Sequence, residues 1–203
     1  MDTPWGFAQH TENVADGITI VHTAGHGGII LDPARTAAMP AYMASASHAG
    51  RSAYEEDCDW CMPVLIFEAE FRAYYQNTGQ PDADAVFDSA KTCLRNWHPD
   101  VYERFYSVTL DPRESYTRAK KHFDEENKDN WVTTAAWGDW HPNVPAGMVA
   151  VCARLGRDER TRCGKERFFL IPASEYSARD PGNKPRFAFV IDPAKHTEIP
   201  AIS

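Results

Sequence analysis

Residues 18–32 of the chain, ITIVHTAGHGGIILD, place two apolar runs on either side of a glycine-rich turn. Val, Ile and Thr suit half-buried pleated strands, and Gly25, Gly27 and Gly28 accept backbone angles and close approaches that other residues do not. The stretch reads as strand, tight turn, strand, with His26 displayed at the turn. A solvent-facing turn calls for glycine or asparagine, not histidine. His26 is therefore the first candidate site residue.

Punctuation along the chain extends this pattern. Thr3-Pro-Trp-Gly6 reads as a turn, Phe7–Val14 as a strand, and Asp16-Gly17 as a hairpin signal leading into Ile18–Thr23. Asp32-Pro33 stops the second apolar run and suits the start of a short helix over 36–43. Ser52 with Glu55 three residues later has the form of a capping box. A helix is expected there, ended or kinked at Pro63, with a second helical stretch over Glu68–Asn77. Asp82 precedes an amphipathic helix with Val86, Phe87, Ala90, Cys93, Leu94 and Trp97 on one face. His98-Pro99 interrupts it. Asp100 with Glu103, and Asp111-Pro112 with Glu114, each start a further helix. Strand character returns in Trp131–Trp137, Ala146–Leu155, Arg167–Ile171 and Phe187–Ile191, with an Asp180-Pro-Gly-Asn turn before the last.

Strands, then helices, then strands point to an α+β fold. The expected architecture is a single domain over residues 1–203. It has a strand meander over 1–35, a helical segment over 36–127 and a second strand meander over 131–193. Both ends of the chain are expected to build one antiparallel or mixed sheet, with the helices packed on one face. Trp97, Tyr102, Phe105 and Tyr106 recur at helical spacing and are assigned to the core.

Composition narrows the function classes. No apolar run approaches a membrane span, and the first residues lack the basic and apolar parts of a signal peptide, so a cytoplasmic protein is expected. Five cysteines, an odd number, fit a reduced compartment. A net charge of −8 argues against a dedicated nucleic-acid binder and suits an enzyme or a binder of a basic partner surface.

Several groups of residues carry possible chemistry. Glu55, Glu56, Asp57 and Asp59 form a dense acidic cluster. In a first helical turn they would complement the helix dipole. On one helical face, Glu55 and Asp59 could instead hold a divalent ion or act as acid and base. Cys58 and Cys61 form a CxxC, and His22 and His26 have the i, i+4 spacing of zinc sites, which together would make a Cys2His2 set. Two half-buried cysteines are the plainer explanation. Asp139-Trp-His141-Pro142 is a second histidine-bearing turn. With a shared sheet, His26 and His141 could meet at one rim beside Glu56 or Asp57, a grouping suited to a metal or to a general base with its orienting acid. The alternative is that each histidine only hydrogen-bonds its own turn. Gly25, Gly27 and Gly28 could offer backbone N–H groups to a phosphate, although they join strands and open no helix. The basic segment 154–167 reads as a solvated hairpin tip or as a contact for an acidic partner. His98 reads as a helix-breaking connection, and His10, His48 and His122 as surface residues. There is no GxSxG elbow, P-loop or HExxH pattern.

The blocks Thr3–Gly6, Thr23–Gly28, Tyr54–Asp57, Trp97–Asp100, Asp139–Pro142, Arg167–Pro172 and Phe189–Pro193 with His196 resemble a family of uncharacterised proteins of bacteria, their plasmids and phages. The resemblance covers most of the chain and implies an accessory role on mobile elements, such as anti-defence. It also implies that position 61 is often not cysteine, which weakens the zinc reading.

Two functions follow as expectations. The first is a phage or plasmid accessory protein that binds and modulates a host macromolecule, a host protein or defence complex before nucleic acid, as an inhibitor. The second is a small metal-dependent or His/acid hydrolase with His26, His141, Glu56 and Asp57 at its site. No cofactor is predicted, though zinc or another divalent metal, or a small-molecule ligand, is compatible with the second.

Overall fold

The structure is a computed structural model that describes residues 1–78, 82–156, 166–178 and 187–202. The α+β class is as expected. The chain gathers into two compact units, residues 1–117 and 118–203, where the sequence pattern suggested one domain.

The first unit opens with a small hairpin, β1 (Asp2–Thr3) and β2 (Gly6–Phe7). A four-stranded antiparallel sheet follows in the order β3 (His10–Ala15), β4 (Ile18–His22), β5 (Gly27–Leu31), β6 (Ala53–Glu55). Asp16-Gly17 makes the expected β3–β4 turn, with Gly17 at a φ of 77° that only glycine adopts without strain. β5 is flanked on both sides and buried along most of its length, which is why its sequence is apolar without alternation.

Two short helices, α1 (Pro33–Ala38) and α2 (Ala41–Ala44), connect β5 to β6. Asp32 caps α1 by accepting from the Arg35 amide at 2.7 Å. After β6 come α3 (Cys61–Ile66), α4 (Glu68–Thr78), α5 (Ala83–Trp97) and α6 (Pro99–Tyr106). The amphipathic reading of α5 holds for Phe87, Ala90 and Leu94, which are buried against Ile18, Ile29, Met43, Tyr54, Met62 and Phe71. Tyr102, Phe105 and Tyr106 pack against this core. Trp97 does not: it is exposed and rests on Tyr116, with ring centroids 5.3 Å apart.

The helix expected from Ser52 is a strand. Ala53 and Tyr54 are buried, and their backbone pairs with Ile30 and Ile29 of β5. The sheet edge satisfied these backbone groups, and the apparent capping box was coincidental. The next helix starts only at Cys61. Pro63 lies in its first turn, where a missing N–H costs nothing, so it neither ends nor kinks the helix.

The second unit holds α7 (Tyr116–Glu126), whose first two residues belong to the first unit, and a five-stranded antiparallel sheet. A 3-10 turn, Pro112–Glu114, precedes α7, and the expected capping box between Asp111 and Glu114 is formed there. The sheet order is β10 (Val190–Ile191), β7 (Trp131–Trp137), β8 (Met148–Leu155), β9 (Arg167–Pro172), β11 (Thr197–Ile199), with α8 (Ala173–Ala178) against β8 and β9. Val151, Ala153, Phe169, Ile171 and Ile191 form its core. The two ends of the chain therefore make separate sheets, correcting the expectation of one. Each meander satisfies its own ladder, and neither needs strands from the other. The basic tip at 157–165 and the Asp180 turn lie outside the described residues.

One long-range tie of the first unit is pH-sensitive. Glu12 on β3 accepts from the Tyr74 hydroxyl of α4 and meets His22 Nε2 at 3.1 Å. The Tyr74 hydrogen bond, opposed by partial burial and aided by His22, holds the Glu12 carboxyl below its ordinary range. A carboxyl lowered on folding adds stability above its unfolded value and loses it as pH falls through the folded value. Tyr74→Phe should therefore lower the urea midpoint at neutral pH, and its gap to the unaltered protein should close below about pH 4. A gap constant down to about pH 3 would show that the bond carries no linkage.

Candidate functional site

The His26 turn is closed by Thr23. Its hydroxyl donates to the His26 carbonyl at 2.6 Å and accepts from the His26 amide at 3.1 Å, with the Gly25 amide 3.5 Å away. The amides that might have cradled a phosphate are thus turned inward, and Gly27 and Gly28 lie within the β4–β5–β6 ladder. The phosphate reading of Gly25, Gly27 and Gly28 is corrected on that ground. The two strand glycines are required by space. A Cβ on Gly27 would stand 2.5 Å from Glu56 Oε2 and 2.8 Å from the Val21 carbonyl. One on Gly28 would stand 2.3 Å from the Tyr54 carbonyl and 2.5 Å from the Trp5 ring.

This close packing brings the end of β6 to the turn. Glu55 pairs with Gly28, and the Glu56 amide donates to the Gly27 carbonyl at 3.1 Å. His26 Nδ1 then lies 3.8 Å from Glu55 Oε1. That oxygen is buried and has no hydrogen-bond partner, while Glu55 Oε2 accepts from the Asp57 amide at 2.8 Å. His26, Glu55 and Glu56 form one of two groups among the described residues whose donor atoms lie close enough to share a metal ion.

The other group is His48, Cys58, Asp59 and His98. Asp59 is fully buried in the turn between β6 and α3. It accepts from the His48 amide at 2.7 Å and faces His48 Nδ1 at 3.0 Å. His98 Nε2 is also 3.0 Å from Asp59 Oδ1, a close approach without the geometry of a formed hydrogen bond. Burial pushes the Asp59 carboxyl up, but His98 and the amide and ring of His48 outweigh it and hold the group at about 2. Cys58 Sγ lies 3.6 Å from Asp59 Oδ1, 4.0 Å from His48 Nδ1 and 4.0 Å from Glu55 Oε2, so the two groups adjoin. Burial, then the charge of Asp59, raises the Cys58 thiol to about 12, so it is protonated at neutral pH and is no nucleophile.

The structure redistributes the residues singled out from sequence. His22, His26, Cys58 and Cys61 do not converge. An i, i+4 pair stands one above the other on a helix; here the two residues straddle a hairpin turn, and the His22 ring goes to Glu12 and the His26 ring to Glu55. Cys61 is buried in α3, with its thiol on the Cys58 carbonyl at 3.3 Å. Glu55 and Asp59 do not share a helical face, because the segment between them is a turn. Asp57 lines a separate groove of about 490 Å³ with Trp60, Cys93 and Trp97. His141 belongs to the second unit, where its Nδ1 accepts from the Asn143 amide at 3.3 Å, as a turn histidine would.

His48 and His98 were missed. His98 ends α5 and begins α6, and its side chain caps neither. A histidine before a proline at a helix break was the available signal. His48 sits in a polar loop and gave none. His196, near the end of the second unit, is buried and braces α8 through Glu175 Oε1 at 3.1 Å while its Nδ1 accepts from the Asp192 amide.

Gly28→Ala should destabilise the protein by about 1–3 kcal/mol through overpacking against the Tyr54 backbone, whereas Gly25→Ala, which meets nothing within 4 Å, should be nearly neutral. Equal urea midpoints for the two variants would contradict this account.

A family model described as a domain of unknown function (DUF7007) matches residues 1–128, a span that holds every residue of both groups. No curated protein and no solved structure matches the chain. Among the described residues, no helix is long and apolar enough to cross a membrane.

Proposed function

We infer that this chain, which belongs to the DUF7007 family of domains of unknown function, is a small hydrolase that activates water with His26. The observation carrying this reading is the His26–Glu55 pair, an exposed imidazole 3.8 Å from a buried and otherwise unpartnered carboxylate oxygen. A carboxylate beside Nδ1 favours the proton on that nitrogen and leaves Nε2 free to take one from water. The separation exceeds that of a formed hydrogen bond, and such contacts tighten when substrate excludes solvent. Glu56, seated over Gly27, supplies a second carboxylate for the water or the leaving group.

The test is turnover of nitrophenyl esters, phosphomonoesters and phosphodiesters by the full chain. His26→Ala and Glu55→Gln should each lower turnover by about 100-fold or more with the melting temperature unchanged. No turnover in any substrate class, or a fully active His26→Ala variant, removes the reading.

A second reading rests on charge. The net charge is −8, and Glu56 and Asp57 are exposed on the same turn. These support a cytoplasmic accessory protein of a phage or plasmid that binds a host protein or defence complex through an acidic surface and inhibits it. Reversing Glu56 and Asp57 to lysine should then weaken capture of a host protein and reduce its salt dependence, leaving the melt nearly unchanged. Capture indifferent to both charge and salt sinks this reading.

A further inference from the structure

We propose that His48, Cys58, Asp59 and His98 form a binding site for one transition-metal ion of the zinc class. The site stands independently of the hydrolase reading, because His26, Glu55 and Glu56 belong to the other donor group.

The four donor atoms are near enough to share one ion. One donor atom from each residue lies within 4.8 Å of all the others. Four of the six separations are 3.0 Å for His48 Nδ1 to Asp59 Oδ1, 3.0 Å for His98 Nε2 to the same oxygen, 3.6 Å for Cys58 Sγ to Asp59 Oδ1, and 4.0 Å for Cys58 Sγ to His48 Nδ1. Zinc bonds of about 2.0–2.3 Å imply edges of about 3.3–3.7 Å, which these distances bracket.

His98 supplies the independent observation. Its side chain is only 7% exposed, and Nε2 has no aligned hydrogen-bond partner. A buried ring nitrogen in that condition is costly in a purely hydrogen-bonded network. Yet Nε2 stands 3.0 Å from Asp59 Oδ1, off the hydrogen-bond line. Two ligands along one edge of a metal tetrahedron have this relation: the atoms approach closely while their lone pairs converge on a third point.

The donor set selects the metal class. Two imidazoles, one thiol sulfur and one carboxylate suit Zn²⁺, Co²⁺ or Fe²⁺ and not the all-oxygen shells of Mg²⁺ or Ca²⁺. Access is provided as well. Asp59 and His98 form the buried wall, whereas the His48 side chain is 70% exposed and can close over an arriving ion. Binding would form a sulfur–metal bond and release the Cys58 proton to solvent. It would also join three segments of the first unit: the α2–β6 loop, the β6–α3 turn and the α5–α6 junction. A fold-stabilising role follows, because an ion held only by the native arrangement raises the melting temperature.

The experiment is titration of the full, chelator-washed chain with Co²⁺, followed by displacement with Zn²⁺. The expected result is one Co²⁺ per chain, with the visible bands of tetrahedral cobalt, a thiolate-to-cobalt band in the near ultraviolet, and a higher melting temperature. Cys58→Ser should abolish the thiolate band and weaken binding by about tenfold or more, and His48→Ala should weaken it similarly. Cys93→Ser and His26→Ala should leave both signals intact. His98→Ala adds a check if it folds; the two milder variants decide the matter without it. Failure to bind near one equivalent overturns the proposal. So does binding unaffected by Cys58→Ser and His48→Ala, or binding lost in His26→Ala, which would move the ion to the His26 group.

Discussion

A carboxylate with no exposed surface, Asp59, ties together three segments of the first unit. A buried charge is tolerated only when paired and hydrogen-bonded, so Asp59 dictates what lies around it. It draws the His48 amide and ring from one loop, the His98 ring from a helix junction, and the Cys58 thiol from its own turn. Each of these comes from a different stretch of chain. One residue thereby ties the loop before β6 and the α5–α6 junction to the β6–α3 turn.

The second constraint is steric. Gly27 and Gly28 let the end of β6 and the Trp5 ring approach β5 more closely than any side chain would allow. That approach carries Glu55 and Glu56 to the His26 turn. The same four residues, 55 to 58, then lead from the exposed histidine to the buried cluster, with Cys58 Sγ 4.0 Å from Glu55 Oε2. An exposed histidine–carboxylate pair and a buried donor cluster adjoin on a single turn. This economy explains why the acidic run is so dense without being a helix start.

The second unit follows a different principle. Its sheet is a run of antiparallel neighbours with a small apolar core, closed at the end by His196 between Asp192 and Glu175. No residue of either donor group belongs to it.

Much of the first unit was legible in the sequence, because the signals were local. The β4–β5 hairpin, Asp16-Gly17, the Asp32 and Asp82 caps and the buried face of α5 follow from backbone chemistry and periodicity within a few residues. His26 stood out in the sequence because histidine has no conformational reason to occupy that turn, and the structure sets its ring beside Glu55. The errors share one cause. Ser52–Glu55 satisfied a local helix rule, but an open edge of β5 offered its backbone a ladder; His22 and Cys61 had metal-like spacing, but the His22 ring goes to Glu12 and the Cys61 thiol to the Cys58 carbonyl. The sequence alone determined most of the element types, the α+β class and the residues available for chemistry. Which of them meet was decided by tertiary structure, since a histidine in a loop and another at a helix break, 50 positions apart, become neighbours only when a buried carboxylate must be satisfied.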